Sequence, residues 1–259
     1  MYNFKELKNE EYKYIESSTI LQKGVPVFIR LQFRAFNTFS KPLKTKFDAV
    51  INYAMEQTTI KLCQEVQGTI LALTTRDIIT LVVVDFNKLN STAWLGYDIA
   101  NICSATASIA SVAFTKNMLQ NIDMLKNKHK DVTTYEQCMT RDVSFSCKCF
   151  NVPTNRIVEM LYLKQLECRR ESVQLFASQY LDKKTRNGKS NDELVDLIKD
   201  EYGVSWDTIS NANQIGYLCH KGNRPFAERR KWRIDSKFPL MNVGDNRRQI
   251  DEIINSIAL

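Results

Sequence analysis

The sequence predicts an α+β fold in which an antiparallel sheet carries helices on one face. Apolar residues recur at every second position in several segments, which is typical of strands, and near helical spacing in the segments between them. These segments follow one another in β-α-β-β-α-β order, the order of a ferredoxin-like core. We expect residues 1–182 to form this core domain and residues 183–259 to form a smaller helical and basic extension packed on it.

The first half of the core begins with the segment VPVFIRLQFRAF, which alternates between two faces and predicts a strand. FDAVINYAMEQTTIKLCQEV has helical spacing. GTILALTTRDIITLVVVDF holds two strand-like runs around a polar centre, Thr74 to Asp77, and predicts a hairpin. One face of the first strand would carry Val27, Ile29, Leu31 and Phe33, and the other would carry Phe28, Arg30, Gln32 and Arg34.

The second half of the core consists of a helix, a strand and a longer helix. GYDIANICSATASIASVAF predicts a helix whose small residues allow close packing on a sheet, VSFSCKCFNV a strand, and NRIVEMLYLKQLECRRESVQLFASQYL the long helix. In the extension, Asn187-Gly188 predicts a turn, and Ser190 with Glu193 forms a capping box that opens a short helix. Basic residues gather after it at Arg224, Arg229, Arg230, Lys231 and Arg233.

Composition indicates a globular protein, with 44% hydrophobic and 25% charged residues. The net charge of +7 permits a polyanionic partner such as RNA or a nucleotide, but a Lys-rich surface explains the charge equally well. The polar start and the scattered cysteines, seven in all, predict a cytoplasmic protein with reduced thiols. No apolar run approaches the length of a membrane span, so we expect no membrane association.

A pair of alternate cysteines, Cys147 and Cys149, resembles half of a metal site, with His129 and Cys138 upstream. It lacks the paired Cys-x-x-Cys spacing of a zinc site. Alternate residues of a strand share one face, so the sequence favours thiols packed on a sheet, and we expect no bound metal.

Several of these segments together resemble one known family, the tRNA-histidine guanylyltransferases, which are 3′-to-5′ nucleotide polymerases. The resemblance covers nearly the whole chain and is carried by PVFIRLQFRAFNTF, AMEQTTIKLCQEVQG, LALTTRDIITL, CSATASIASVAF, CFNVP, GKSNDELVDLI and RRKWRIDSKFPL, in that order. It implies a polymerase-like palm in which two aspartates on neighbouring strands hold two magnesium ions. It also implies a homodimer or homotetramer.

The first family motif, Arg-(Leu or Ile)-Asp-Gly, is altered in this chain. The sequence reads Arg30-Leu31-Gln32-Phe33, so a neutral amide replaces the aspartate and a ring replaces the glycine. The following histidine position holds Asn37. If Phe33 fills the nucleotide pocket, even binding there would be lost.

The second motif, Gln-Ser-Asp-Glu, is altered as well. It reads Thr75-Arg76-Asp77-Ile78, which keeps one carboxylate, places an apolar residue after it, and puts arginine at a phosphate-binding serine position. Of the other family positions, a lysine falls at Asn101, an aspartate at Ser146 beside the basic Lys148, and an asparagine at Glu171, while a lysine is present near Lys46. The scaffold motifs persist where the catalytic positions change together, which favours a repurposed site.

One hypothesis is a binding protein, a pseudoenzyme that sequesters a nucleotide, a nucleotide signal or a tRNA end without metal chemistry. Such a protein would suit a bacteriophage that disarms a host defence, and it would then act in the host cytoplasm. Guanidinium groups would bind phosphates where metal-bound oxygens stood. The candidate ligand-binding residues are Arg30, Arg34, Asn37, Arg76, Asn101, Ser104, Lys148 and Arg170. Arg170 could equally lie on an exposed helix face, Ser104 could pack a helix, and the two asparagines could satisfy the backbone.

Two alternatives remain open from the sequence. A divergent magnesium-dependent nucleotidyltransferase would use Asp77 with a recruited acid such as Asp85 or Asp142. A structural or inhibitory protein would instead bind a host protein or join an active paralogue in a mixed oligomer.

Overall fold

The computed structural model describes residues 19–43, 45–84, 92–221, 231–241 and 244–255. Within these ranges six strands form one antiparallel sheet in the order β4-β1-β3-β2-β5-β6. The strands are β1 (Val27–Phe33), β2 (Thr69–Thr75), β3 (Ile78–Val83), β4 (Phe145–Asn151), β5 (Tyr217–Lys221) and β6 (Trp232–Asp235). The order β4-β1-β3-β2 is that of the ferredoxin-like core, and the α+β fold class is confirmed.

Helices connect and cover the strands in the described part of the chain. They are α1 (Phe36–Phe39), α2 (Ala49–Glu65), α3 (Ile99–Asn127), α4 (Thr133–Met139), α5 (Ile157–Ala177), α6 (Lys183–Arg186), α7 (Asn191–Tyr202), α8 (Asn211–Ile215) and α9 (Asp245–Asn255). No helix among the described residues is long and apolar enough to cross a membrane.

Local side chains explain where two of these helices begin. The Asp48 carboxylate accepts hydrogen bonds from the Val50 and Ile51 N–H groups, at 2.9 and 3.1 Å, and so caps α2. The Ser190 hydroxyl and the Glu193 carboxylate form the expected capping box at the start of α7. Sequence signals at helix starts are reliable here because the cap satisfies backbone N–H groups that have no partner within the helix.

One face of the sheet packs against α2 and α3. The β1 residues predicted to share this face are buried, and they join Ile51 and Met55 of α2 and Phe114 of α3 in the largest apolar cluster. The alternation in the sequence therefore gives the correct orientation for every residue of β1.

The other face is also covered, which corrects the expectation that helices lie on one face only. Phe28 of β1 and Leu73 of β2 pack against Ile157 and Leu161 of α5. Both β2 and β3 are buried at almost every position, as expected of strands that are covered on both faces. Gln165 of α5 adds polar contacts to this layer, since its amide oxygen accepts from the Met241 N–H at 2.8 Å.

The sheet continues beyond residue 182, because β5 pairs with β2 and β6 pairs with β5. The chain enters β5 through Gly216, whose φ is +87°. A Cβ atom at this position would lie 2.5 Å from the Thr74 carbonyl oxygen, so the strand can approach β2 only with glycine here. A separate small cluster, centred on Phe176, Leu194 and Trp206, joins α7 to the end of α5.

Candidate nucleotide and phosphate site

Antiparallel pairing places three altered motif positions in one row across the sheet. Gln32 of β1 lies opposite Ser146 of β4 on one side and Ile78 of β3 on the other. Two residues earlier on β1, on the same face, Arg30 lies opposite Lys148 and Thr80. The register therefore gathers positions that are more than a hundred residues apart in the chain into one surface. We call this surface the Gln32 row; it consists of Arg30, Gln32, Ile78, Thr80, Ser146 and Lys148.

Asp77 lies beside this row, in the turn between β2 and β3. Its backbone carbonyl accepts from the Phe33 N–H at 2.9 Å, which ties the turn to the end of β1. The Gln32 amide donates a hydrogen bond to the Asp77 carboxylate. Burial raises the pKa of Asp77 above its ordinary value, while the charge of Arg76 and this hydrogen bond oppose the rise.

Arg76 is held in place by two neighbours on α1. Its Nη2 donates to Asn37 Oδ1 at 2.7 Å, and its guanidinium carbon lies 4.7 Å from the centroid of the Phe36 ring. Burial lowers its pKa, and the carboxylates of Asp77 and Glu171 oppose that shift. Its Nε is buried without a hydrogen-bond partner among the described residues. Asn37 therefore orients the Arg76 side chain through a hydrogen bond that the sequence did not predict.

The cleft beside Arg76 is narrow. It lies between α1, the start of α2 and α8, and its cavity volume is about 30 Å³, enough for one or two water molecules. Lys46, Asp48, Asn52 and Asn213 line it. A nucleotide therefore has no room inside this cleft.

Glu171 of α5 is the site residue that the sequence reasoning did not treat as an acid. Burial raises its pKa, the Asp77 carboxylate adds to the rise, and Arg76 opposes it. Cys168, one turn earlier on α5, accepts a hydrogen bond from the Arg76 backbone. The helical spacing of the buried residues Gln165, Cys168 and Ser172 was the available signal, because it places position 171 at the border of the buried face.

The remaining basic candidates divide between two places. Arg30 is half-buried, and its charge acts on both Asp77 and Glu171, while Lys148 is exposed directly across from it. Arg34 is exposed just beyond the end of β1. Arg170 is exposed on α5 and lines a groove with Asp192 and Asp196 of α7. This position matches the alternative of an exposed helix face.

The structure does not bring Asn101 and Ser104 to the Gln32 row. The Asn101 N–H donates to the capping Asp98 at 2.8 Å, and the Ser104 hydroxyl donates to the Asn101 carbonyl at 3.1 Å. Their helix, α3, packs on the face of β4 that carries Cys147 and Cys149. Residues 146 and 148 point to the opposite face, because side chains alternate along a strand.

Phe33 leaves the Gln32 row open. Its side chain is 1% exposed and lies in the core on the α3 side of the sheet. Its ring centroid is 4.9 to 5.3 Å from those of Phe36, Phe39, Phe114 and Phe145. The bulky replacement for glycine therefore fills the core instead of covering the site.

The side chains around Asp77 do not fit a pair of divalent cations. The Asp77 carboxylate accepts a hydrogen bond from the Gln32 amide, and the positively charged Arg76 and Arg30 are close enough to shift its pKa. Among the described residues, no three His, Cys, Asp or Glu side chains are grouped so that they could hold a metal ion. The proposed acid Asp142 is exposed in the segment before β4, and Asp85 lies outside the described residues.

Comparisons with known proteins give matches of two kinds. A family model described as tRNAHis guanylyltransferase (Thg1) matches residues 9–153. A bacterial tRNA(His) guanylyltransferase (Thg1)-like protein in complex with ATP is 18% identical, with a TM-score of 0.79 over 96% of each chain. A structure of such a bacterial protein in complex with GTP is 18% identical, with a TM-score of 0.73 over 94% of this chain and 95% of that one.

A more distant structural match comes from a eukaryote. The tRNA(His) guanylyltransferase from Saccharomyces cerevisiae is 15% identical, with a TM-score of 0.66 over 94% of this chain and 99% of that one. The comparison with curated proteins gives no match. The structural likenesses establish a shared fold across almost the full chain, which includes the palm-like sheet.

Proposed function

The chain belongs to the tRNAHis guanylyltransferase family, and from that premise we propose that it binds a nucleotide or a tRNA end without two-metal chemistry. One observation carries the proposal: the residue at the first carboxylate position, Gln32, donates a hydrogen bond to the surviving carboxylate, Asp77. Two-metal chemistry relies on charged carboxylate ligands, and position 32 offers only a neutral amide beside Asp77.

The charge around Asp77 supports the same conclusion. Arg76 and Arg30 both act on this carboxylate, so the local field attracts anions and repels divalent cations. Lys148 extends the positive surface along the exposed side of the sheet. Guanidinium and ammonium groups bind phosphate oxygens directly through charge-assisted hydrogen bonds. The related bacterial structures contain ATP and GTP, which makes a nucleoside triphosphate the first ligand to test.

Lys148→Glu tests the proposed phosphate contact. We expect GTP affinity in EDTA to fall at least about tenfold, because one phosphate contact is lost and a repulsive charge is added. Lys128→Glu is the control, since it makes the same charge change at an exposed position just after α3. Equal effects of the two substitutions on affinity would show that only net charge matters and would overturn the proposed contact.

A tRNA end is distinguished from a free nucleotide by salt. Each phosphate contact made by a basic side chain adds a slope of about −0.7 to the logarithmic salt dependence for single-stranded nucleic acid. Binding of a tRNA acceptor end through Arg30, Arg34 and Lys148 should therefore weaken steeply between low and high salt. A flat salt response would exclude the tRNA end as the ligand of this surface.

One observation favours a second candidate, a divergent nucleotidyltransferase. The Asp77 carboxylate contributes to the raised pKa of Glu171, so a carboxylate from α5 lies close to the surviving motif carboxylate. Glu171 is thus better placed as a recruited acid than the exposed Asp142. This enzyme would add a nucleotide to tRNA only with magnesium, and Glu171→Gln would abolish the addition. Absence of product with the unsubstituted protein in magnesium would dismiss it.

The biological part of the proposal is sequestration. A protein that binds a nucleotide signal without consuming it would protect a bacteriophage from a defence that depends on that signal. Heating the purified protein should release the bound ligand chemically unchanged, with one ligand molecule for each protein molecule. Release of a chemically altered ligand would contradict sequestration.

A further inference from the structure

Three thiols from α3 and β4 lie together on the face of the sheet opposite the Gln32 row. Cys103 Sγ is 3.7 Å from Cys149 Sγ. Cys147 also contacts Cys103, and it accepts a hydrogen bond from the Thr106 hydroxyl at 3.3 Å. All three are free thiols in this structure. None of them takes part in the proposed nucleotide site.

The local sequence explains this grouping. Cys147 and Cys149 are two residues apart on β4 and therefore share one face. The neighbouring turns of α3 hold small residues, including Ala107, so the helix lies close enough to the strand for sulfur atoms to touch. The 3.7 Å between the sulfurs of Cys103 and Cys149 exceeds the length of a disulfide bond by about 1.7 Å, so the two sulfurs must approach by that distance for the bond to form.

The three thiols differ in access to solvent. Cys149 is buried, whereas Cys103 and Cys147 are partly exposed. Burial raises the pKa of Cys147 to about 12 and also raises that of Cys149, which keeps both protonated at neutral pH. Cys103 is the partly exposed thiol in contact with both others.

From this arrangement we propose that Cys103 and Cys149 form a disulfide when a peroxide oxidises Cys103, with Cys147 as the alternative partner. In the first step the Cys103 sulfur attacks one peroxide oxygen, the O–O bond breaks, and water leaves with a sulfenic acid on Cys103. In the second step the Cys149 sulfur attacks that sulfenic sulfur and loses its proton. The S–O bond breaks and a second water leaves. Two thiols are thereby oxidised by two electrons in total, and one peroxide is reduced to two waters.

The bond would connect α3 to the strand that carries Ser146 and Lys148. It would close a loop between positions that are 46 residues apart, which restricts the unfolded chain and so stabilises the folded one. Cys147 also lies beside Cys103, which makes it the alternative partner for the same bond. The cross-link thus fixes the edge strand of the nucleotide-binding surface against α3 under oxidising conditions.

Peptide mapping of the full-length protein after treatment with hydrogen peroxide tests this proposal. We expect the loss of two hydrogen atoms in the intact mass, a peptide that joins Cys103 to Cys149, and a higher unfolding temperature that dithiothreitol reverses. Cys149→Ser should redirect the bond to Cys147, and Cys103→Ser should abolish both bonds. Cys138→Ser is the control and should leave the bond unchanged, because this buried thiol lies on α4.

Two results would overturn the proposal. One is oxidation of Cys103 to a sulfinic or sulfonic acid without a cross-link in the folded protein. The other is a cross-link that joins Cys103 to neither Cys149 nor Cys147. Mapping of the unsubstituted protein distinguishes the expected cross-link from both of these results even if a serine variant fails to fold. Cys103→Ala provides a second variant without a polar group.

Discussion

At the scale of single residues, the hydrogen bond from Gln32 to Asp77 distinguishes this chain from the two-aspartate pattern of the family it resembles. A carboxylate at position 32 would place two negative charges side by side, and those charges need cations between them. The amide instead donates to Asp77 and removes that need. On the function that we propose, this substitution removes the need for metal at the site.

Restoring the carboxylate should make the protein depend on magnesium. We expect Gln32→Asp to lower the free energy of unfolding by about 1–2 kcal/mol without magnesium, because a hydrogen bond is replaced by like-charge repulsion. Magnesium should recover that loss in the variant and leave the unsubstituted protein unchanged. Thermal unfolding with EDTA or magnesium measures both effects. Gln32→Asn is the control, since it shortens the side chain without adding charge, and an equal magnesium response in this control would contradict the account.

The raised pKa of Asp77 predicts how stability varies with pH. The unfolded chain releases this proton near the ordinary carboxyl pKa of about 3.9, whereas the folded protein holds it to a higher pH. Ionisation therefore costs stability as the pH rises through that interval. Relative to Asp77→Asn, the unsubstituted protein should lose stability between the ordinary pKa and the raised one. Urea unfolding of both proteins across this pH range would show the trend, and a relative gain instead would reverse the sign we assign.

At the scale of elements, the sequences of β2 and β3 predict the hairpin that joins them but not the helix that covers their second face. The hairpin around Thr74 to Asp77 was predicted correctly, because a polar centre between two apolar runs is a strong local signal. Consecutive apolar residues within them, Ile70 to Leu73 and Leu81 to Val83, also indicated two covered faces, but the cover on the second face comes from α5, which lies about seventy residues further along the chain. Periodicity describes one element at a time and does not name its partner.

The entry to β5 is an element-scale feature that a single substitution tests. Gly216→Ala should destabilise the protein by more than about 2 kcal/mol, because the new Cβ combines a positive φ with a clash against the Thr74 carbonyl. Gly203→Ala is the matched control. Its φ of +67° is also positive, but a Cβ atom there meets nothing within 4 Å, so we expect a loss of about 1 kcal/mol. Urea denaturation of both variants measures the difference, and equal losses would indicate that the β2–β5 approach is not tight.

At the scale of the whole molecule, the sheet register decides which predicted residues share a site. Gln32, Ile78 and Ser146 were identified from motifs, and the register brings them into one row. Asn101 came from the same kind of motif reasoning, yet it lies behind the sheet, and Arg170, a candidate for its charge, lies on the α7 side of α5. Sequence motifs give the position of a residue along the chain, whereas the face on which it lies depends on packing. Glu171 entered the site for the same reason, without any motif of its own as an acid.

The most direct test of the account is calorimetric titration of GTP and ATP into the protein, once in EDTA and once in magnesium, with product analysis after each run. The account predicts binding of at least one of these nucleotides in EDTA, with no gain in affinity from magnesium and with the nucleotide recovered unchanged. Binding that appears only with magnesium, together with transfer of the nucleotide to added tRNA, would contradict it and identify the protein as an active nucleotidyltransferase.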